Sequence, residues 1–136
     1  MSPEPRDPTD PREWLRRARS NLARARAGRP APEVLHEDLT FDAQQAAEKA
    51  IKAVLVARGV EFPKTHALVR LFDLAEKGGQ VVPPEVREAG RLTVYAVETR
   101  YPGVEDVTEE EYLEALELAE RVVRWAEAAI EGSAQA

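Results

Sequence analysis

Cysteine is absent from this chain of 136 residues, which excludes both a disulfide framework and a thiolate metal site. The two histidines, His36 and His66, leave little for a transition metal, and no cofactor is expected. No Glu-x-x-His motif is present to build a carboxylate-bridged di-iron bundle. Gly-rich phosphate loops of the two common patterns and a Gly-x-Ser-x-Gly elbow are missing as well. Nor are basic residues interleaved with aromatics, the pattern that single-stranded nucleic acid usually demands. No stretch approaches the roughly 20 apolar residues that span a bilayer. The proline-rich, charged start MSPEPRDPTDP has no apolar run of the signal-peptide kind. A cytoplasmic protein without membrane contact is the expectation. Strands are lacking too, since β-branched pieces such as Val81-Val82 have neither length nor alternation.

What is present is charge and helical periodicity. The length predicts one domain, large enough to bury about two-thirds of its unfolded surface without staples. Net charge is −6, but it is unevenly spread. Seven arginines (12, 16, 17, 19, 24, 26 and 29) stand against the single acid Glu13 between Arg12 and Arg29. From Gly103 onward, ten acids stand against Arg121 and Arg124. A basic first helix and an acidic last one can attract phosphates or pair with each other, and antiparallel pairing is the simpler use.

Residues 1–9 are expected to be a flexible leader, residues 10–131 a helical domain and residues 132–136 a frayed tail. Asp10-Pro11-Arg12-Glu13 reads as a helix start with Asp as N-cap and Glu13 completing a capping box. Trp14, Leu15, Ala18, Leu22 and Ala25 form the inward stripe, and Gly28 and Pro30 end the helix. A second helix is predicted from Glu33 or Val34 to Arg58, with Gly59 just past its end. Thr65 caps a third, His66 to Lys77, carrying Ala67, Leu68, Leu71, Phe72 and Ala75 inward and stopped by Gly78-Gly79. Pro83-Pro84-Glu85 opens a fourth with Val86, Leu92, Val94 and Tyr95 inward, closed by Pro102-Gly103. Thr108 to Glu111 is a second capping box, opening a fifth helix that runs to about Ile130. Tyr112, Leu116, Ala119, Val122, Val123 and Ala126 are its inward residues. Five helices with short loops predict an all-α fold, an up-and-down four-helix bundle with an additional short helix.

The second helix is the centre of this scheme. Leu39, Ala43, Ala46, Ala47, Ala50, Ile51, Val54 and Leu55 recur at three- and four-residue steps and make one apolar face. Beside it, Gln44, Gln45, Glu48, Lys49 and Lys52 form a polar ridge, in which Gln45, Lys49 and Lys52 are spaced i, i+4, i+7. The run Phe41-x-x-Gln44-Gln45-Ala46-Ala47-Glu48-Lys49-Ala50-x-Lys52-Ala53 is followed by Phe62-Pro63-Lys64-Thr65-His66-x-Leu68 and by Thr99-Arg100-Tyr101-Pro102. In that order, these three pieces resemble the signature of the HEPN domain family, stand-alone prokaryotic type, over about residues 10–130. The resemblance implies an all-α fold, a homodimer, and a partner protein, a minimal nucleotidyltransferase, in a toxin–antitoxin-like two-gene module. It also implies a nucleotide or RNA as the ligand.

Active members of that family are metal-independent ribonucleases, and the resemblance implies an arginine and a histidine four to six residues apart. In such a pair histidine moves the 2′-hydroxyl proton while arginine holds the phosphate. This chain departs from the motif. Arg100 is followed by Tyr-Pro-Gly-Val-Glu-Asp-Val, with no histidine at the permitted spacing. Arg58 and His66 have seven residues between them. Arg29 and His36 satisfy the count, but Pro30 and Pro32 intervene.

The candidate site residues are therefore Gln45, Lys49, His66, Arg100 and Tyr101 for ligand binding, with His66 and Arg100 as catalytic candidates. A histidine titrates near neutrality and can move protons or meet phosphate. At a helix start it would sit among outward N–H groups; it can equally hydrogen-bond a neighbour and fix the turn. Arg100 can fork onto an oxyanion or pair with Glu48. Tyr101 can pack with its hydroxyl satisfied, and Gln45 and Lys49, if partly buried, would find partners in Arg100 and Tyr101. Three readings remain: a nucleotide- or RNA-associated binding half, a divergent ribonuclease using His66 and Arg100, and a structural dimerisation module.

Overall fold

The structure, a computed structural model, describes residues 7–97, 102–103 and 105–135. Helix α1 spans Pro11–Ala27 and α2 spans His36–Ala57. Helix α3 spans Leu68–Lys77. A short helix α4, Pro84–Arg87, leads into a 3-10 helix at Glu88–Thr93 and another short helix α5, Val94–Val97. Helix α6 spans Glu109–Gln135. Among the described residues there is no strand.

Side-chain pairings give the directions. Tyr112 Oη donates to Ala25 O, Arg26 reaches Glu120 and Arg19 reaches Glu127 and Glu131, so α1 and α6 are antiparallel. Asn21 meets Asp42 while Lys52 lies over the Trp14 ring, so α1 and α2 are antiparallel too. Arg121 contacts Glu88 and Arg91 contacts Glu114, which sets the α4–α5 run antiparallel to α6. Four antiparallel segments thus alternate, α1, α2, α4–α5 and α6. The additional helix is α3, whose start lies beside Glu48 and whose end lies beside Arg58, parallel to α2.

The core follows the predicted stripes. All eight apolar residues of the α2 stripe are buried, as are Leu15, Ala18, Leu22 and Ala25 of α1. The alanines at positions 43, 46, 47 and 50 let α1 and α6 lie close on either side of α2. Leu68, Leu71, Phe72 and Ala75 are buried on α3, and Tyr112, Ala119, Val122, Val123 and Ala126 on α6.

The ends are built as their sequences dictate. Gly59, at φ +69°, ends α2: its N–H donates to Val56 O and the next N–H, of Val60, to Leu55 O. Gly79 repeats the arrangement at the end of α3. Thr108 and Glu111 exchange side-chain–backbone hydrogen bonds of 3.0 and 3.1 Å, a full capping box on α6. Thr108→Ala is expected to lower stability by about 1 kcal/mol, read from the urea midpoint; no change would mean the cap contributes nothing.

Several expectations are corrected. Asp10 caps α1 through the Arg12 N–H, but Glu13 turns outward to Arg16 and Arg17 instead of closing a box. The Asp10 N–H is taken by Asp7 O at 3.1 Å, so it does not need Glu13. Helix α2 begins at His36, after the proline-containing link has made a turn in which the Val34 N–H donates to Ala31 O at 3.1 Å. The predicted fourth helix is three short pieces rather than one, and Val94 is 41% exposed. Trp14 and Leu116 are only half-buried at the edge of the core. His36, expected as a surface residue at the start of the second helix, stacks on Tyr112 with ring centroids 5.7 Å apart. The last helix continues beyond Ile130.

The arginines of α1 are consumed by neighbours. Arg19 and Arg26 pair with acids of α6, Arg24 with Asp42, Arg16 and Arg17 with Glu13, and Arg12 with Asp10. Arg29 donates to the carbonyls of Pro32 and Val34. The opposite charges of the first and last helices align the bundle, each exposed pair contributing about 0–1 kcal/mol.

Candidate functional site

The polar ridge of α2 is the least ordinary surface of the molecule, because part of it is buried. Glu48 is 5% exposed. Its Oε1 accepts from Gln44 Nε2 at 3.0 Å and from His66 Nδ1 at 2.8 Å, and its Oε2 accepts from Lys52 Nζ at 3.0 Å. Burial alone would raise the Glu48 carboxyl above its ordinary range, but the hydrogen bonds from His66, Gln44 and Lys52 together hold it below. Glu48 is therefore ionised at neutral pH and can only accept.

That fixes the groups around it. His66 must carry its proton on Nδ1 to meet the carboxylate, which leaves Nε2 outward on a ring whose side chain is 56% exposed. Gln44, fully buried, must turn its amide nitrogen to Glu48, so its oxygen faces Gln45 and accepts from Gln45 Nε2 at 2.7 Å. A continuous chain, Gln45–Gln44–Glu48–His66, results. Lys52 is held over Trp14 and Phe62, with its Nζ 5.8 and 5.5 Å from the two ring centroids, and the rings themselves meet edge to face. These aromatics shield the Lys52–Glu48 pair from solvent.

About a quarter turn round α2 lies a second polar group. Lys49 Nζ donates to Asn21 Oδ1 at 2.7 Å, and Asn21 Nδ2 donates to Asp42 Oδ1 at 3.1 Å. Burial, and then the nearby Arg17 guanidinium, push the Lys49 ammonium below its ordinary value. A groove of about 630 Å³ between α1 and α2 is lined by Asn21, Arg24, Asp38, Phe41, Gln45 and Lys49, among others. Beyond Lys49 the surface opens into a smaller hollow of about 330 Å³ at Trp14 and Arg17. Among the described residues, no three His, Asp or Glu side chains cluster as metal ligands would.

One placement differs from expectation. His66 is not in the first turn of α3 but two residues ahead of it, because Thr65 Oγ1 caps Ala67 N–H and Thr93 Oγ1 takes Leu68 N–H. Among the described residues, Gln45 and Lys49 have Gln44 and Asn21 as partners. Glu48 is satisfied by His66, Gln44 and Lys52. Arg100 and Tyr101 lie outside the described residues. Asn21 and Asp42 are participants that the sequence pattern does not single out, and Gln44, a ridge residue there, is also part of the site. The signal for Asn21 was available: it is the one amide on an otherwise arginine- and alanine-rich helix, spaced to face α2.

A family model of the HEPN domain matches residues 11–129, nearly the whole chain. The chain belongs to the HEPN family. Two solved structures agree with this. The crystal structure of TT1696 from Thermus thermophilus is 34% identical, superposes with a TM-score of 0.75, and covers 88% of this chain and 97% of its own. ST0689, an archaeal HEPN homologue, is 25% identical with a TM-score of 0.69, covering 89% and 98%. Among curated proteins none matches the chain. The HEPN fold of this chain thus brings His66 against the Glu-Lys ridge of α2, and no described helix is long and apolar enough to cross a membrane.

Proposed function

We propose that this HEPN protein is the ligand-binding half of a toxin–antitoxin-like module, working as a homodimer beside a minimal nucleotidyltransferase and engaging a nucleotide or RNA. One observation supports it most: Glu48 holds His66 by Nδ1, leaves the ring half-exposed with Nε2 free to face solvent, and shares its carboxylate with the cation Lys52. An imidazole so held can donate to a phosphate oxygen when protonated and accept from a hydroxyl when neutral. Gln45 and Lys49 lie on the same ridge and extend the contact surface; Arg100 and Tyr101 complete the proposed set. Pairing of the α1 arginines with carboxylates weighs against a broad electrostatic RNA surface, so recognition falls to this ridge.

The same geometry supports a second reading, a divergent ribonuclease, because a carboxylate behind Nδ1 is the arrangement a general base uses. In that reading His66 accepts the 2′-hydroxyl proton and Arg100 steadies the phosphate.

One experiment separates the readings. AMP and a short single-stranded RNA are titrated into wild type and His66→Ala at several salt concentrations, and the RNA is then assayed for cleavage. The binding reading expects saturable association that weakens about tenfold or more in His66→Ala, the loss of a charge-assisted hydrogen bond, with the RNA intact. A shallow salt slope is expected, since few phosphates are neutralised. Cleavage lost in His66→Ala would favour the ribonuclease. No saturable association with AMP or RNA would overturn both.

A further inference from the structure

Lys49 is in an unusual position for an ammonium. It is half-buried where the 630 Å³ groove and the 330 Å³ hollow meet, and it lines both. Its one hydrogen bond among the described residues is to a neutral amide oxygen, that of Asn21. The nearest carboxylates are otherwise engaged: Asp42 by Asn21 and Arg24, and Glu48 by His66, Gln44 and Lys52. Two further cations, Arg17 and Lys52, crowd it. A partly desolvated ammonium with unused N–H donors and, among the described residues, no carboxylate of its own is stabilised by an anion from outside.

We infer that Lys49 is the anchor of an oxyanion site, taking the terminal phosphate or carboxylate of a small molecule whose body lies in the α1–α2 groove. The groove specifies that body. Along α2, Gln45 and Asp38 stand one and three turns from Lys49 toward the groove's far end, about 6 and 16 Å at 1.5 Å per residue. Gln45 gives its amide nitrogen to Gln44, so its oxygen is an unused acceptor among the described residues. Asp38 is exposed and lines the same groove. One end therefore calls for negative charge, and the rest for hydrogen-bond donors such as hydroxyl or amino groups. Phe41, Pro30 and Val34 add an apolar wall. Arg17, which lines the adjoining hollow with Lys49, donates to Glu13 and adds positive charge at that end. The hydrogen-bonded chain offers a route for the bound state to be felt elsewhere: a donor on Gln45 oxygen polarises the series that leads through Gln44 and Glu48 to His66.

This inference rests on the reading that Gln45 and Lys49 are ligand-binding, but not on the ligand being a nucleotide. The test uses the full chain. Inorganic phosphate, acetate and ribose 5-phosphate are titrated calorimetrically into wild type, Lys49→Gln, Lys49→Arg and Lys64→Gln. The last changes an exposed lysine outside the groove and serves as control. Phosphate binding is expected to weaken at least tenfold in Lys49→Gln and to be kept within about threefold in Lys49→Arg and Lys64→Gln. Ribose 5-phosphate is expected to bind more tightly than phosphate. Acetate tells a planar carboxylate from a tetrahedral phosphate as the preferred headgroup. If Lys49→Gln fails to fold, side-chain amide resonances of Asn21 and Gln45 in the wild type should shift on adding phosphate while the backbone amide of Lys64 stays still. Failure to bind any of the three compounds, or equal binding by Lys49→Gln, overturns the site. Phosphate binding without AMP or RNA binding would sink the proposed function and leave the site standing.

Discussion

Glu48→Ala is expected to destabilise the protein by about 3–5 kcal/mol, as removal of one member of a buried ion pair does. The loss is large because three donors depend on that one carboxylate. Lys52, 12% exposed at its side chain, would keep a charge with no partner beside it, and the buried Gln44 would lose its acceptor. Glu48→Gln keeps the volume and one acceptor oxygen but sets an amide N–H₂ against another donor, so an intermediate loss is expected. The pH dependence carries the sign. The folded-state carboxyl lies below its ordinary value, so its stabilising contribution is complete above the unfolded-state value of about 4.3. It is lost as pH falls through the lower folded value. The stability difference between wild type and Glu48→Gln, from urea denaturation at pH 7 down to pH 3, should therefore narrow with acidity. A difference that stays constant over that range would show that the carboxylate's charge is not what stabilises the ridge.

Phe72→Ala should cost a similar amount, about 3–5 kcal/mol, for an apolar reason. Phe72 is fully buried on α3 and meets Trp125 of α6 edge to face, with centroids 5.9 Å apart. Arg87 covers the ring from the other short segment, its guanidinium carbon 5.9 Å from the centroid. The ring is the point where α3, the α4–α5 run and α6 are joined, and truncation leaves a cavity that three separate elements must close. Trp125 gives a second readout, since its Nε1–H is held by Val81 O at 2.9 Å. Its emission should move to the red as water gains access, alongside the drop in urea midpoint. A loss under about 1 kcal/mol would mean that α3 packs independently of α6. Trp14→Phe, at the half-buried edge of the core, should cost much less.

The α2 stripe, the stops at Gly59 and Gly79 and the cap at Thr108 were all readable from the chain, because each depends on residues within a turn or two of one another. Where the fold departs from local patterning, a distant residue intervenes. Thr65 as a cap predicts His66 inside the helix; Thr93, 25 residues from Leu68 in sequence, takes the Leu68 N–H and so fixes where α3 begins. The α4–α5 run was read as one helix from its apolar spacing. Its fracture into short pieces goes with ties to both α3 and α6, through Arg87, Arg91 and Glu88. Gln45 and Lys49 were legible as a polar ridge, but spacing alone gives a direction on a helix and not a partner across it.

By itself, then, the sequence determined an all-helical chain with one apolar-faced central helix, oppositely charged first and last helices, and the family to which it belongs. Local periodicity, caps and charge asymmetry are properties of short stretches, so they survive without coordinates. The tertiary structure alone decided that α3 is the added helix, that Glu48 is buried and ionised among three donors, and that the Lys49 ammonium has a neutral amide as its hydrogen-bond partner. Those facts depend on which side chains meet across long gaps in sequence, 28 residues from Asn21 to Lys49 and 112 from Arg19 to Glu131. How much solvent each then keeps is a quantity no spacing rule contains.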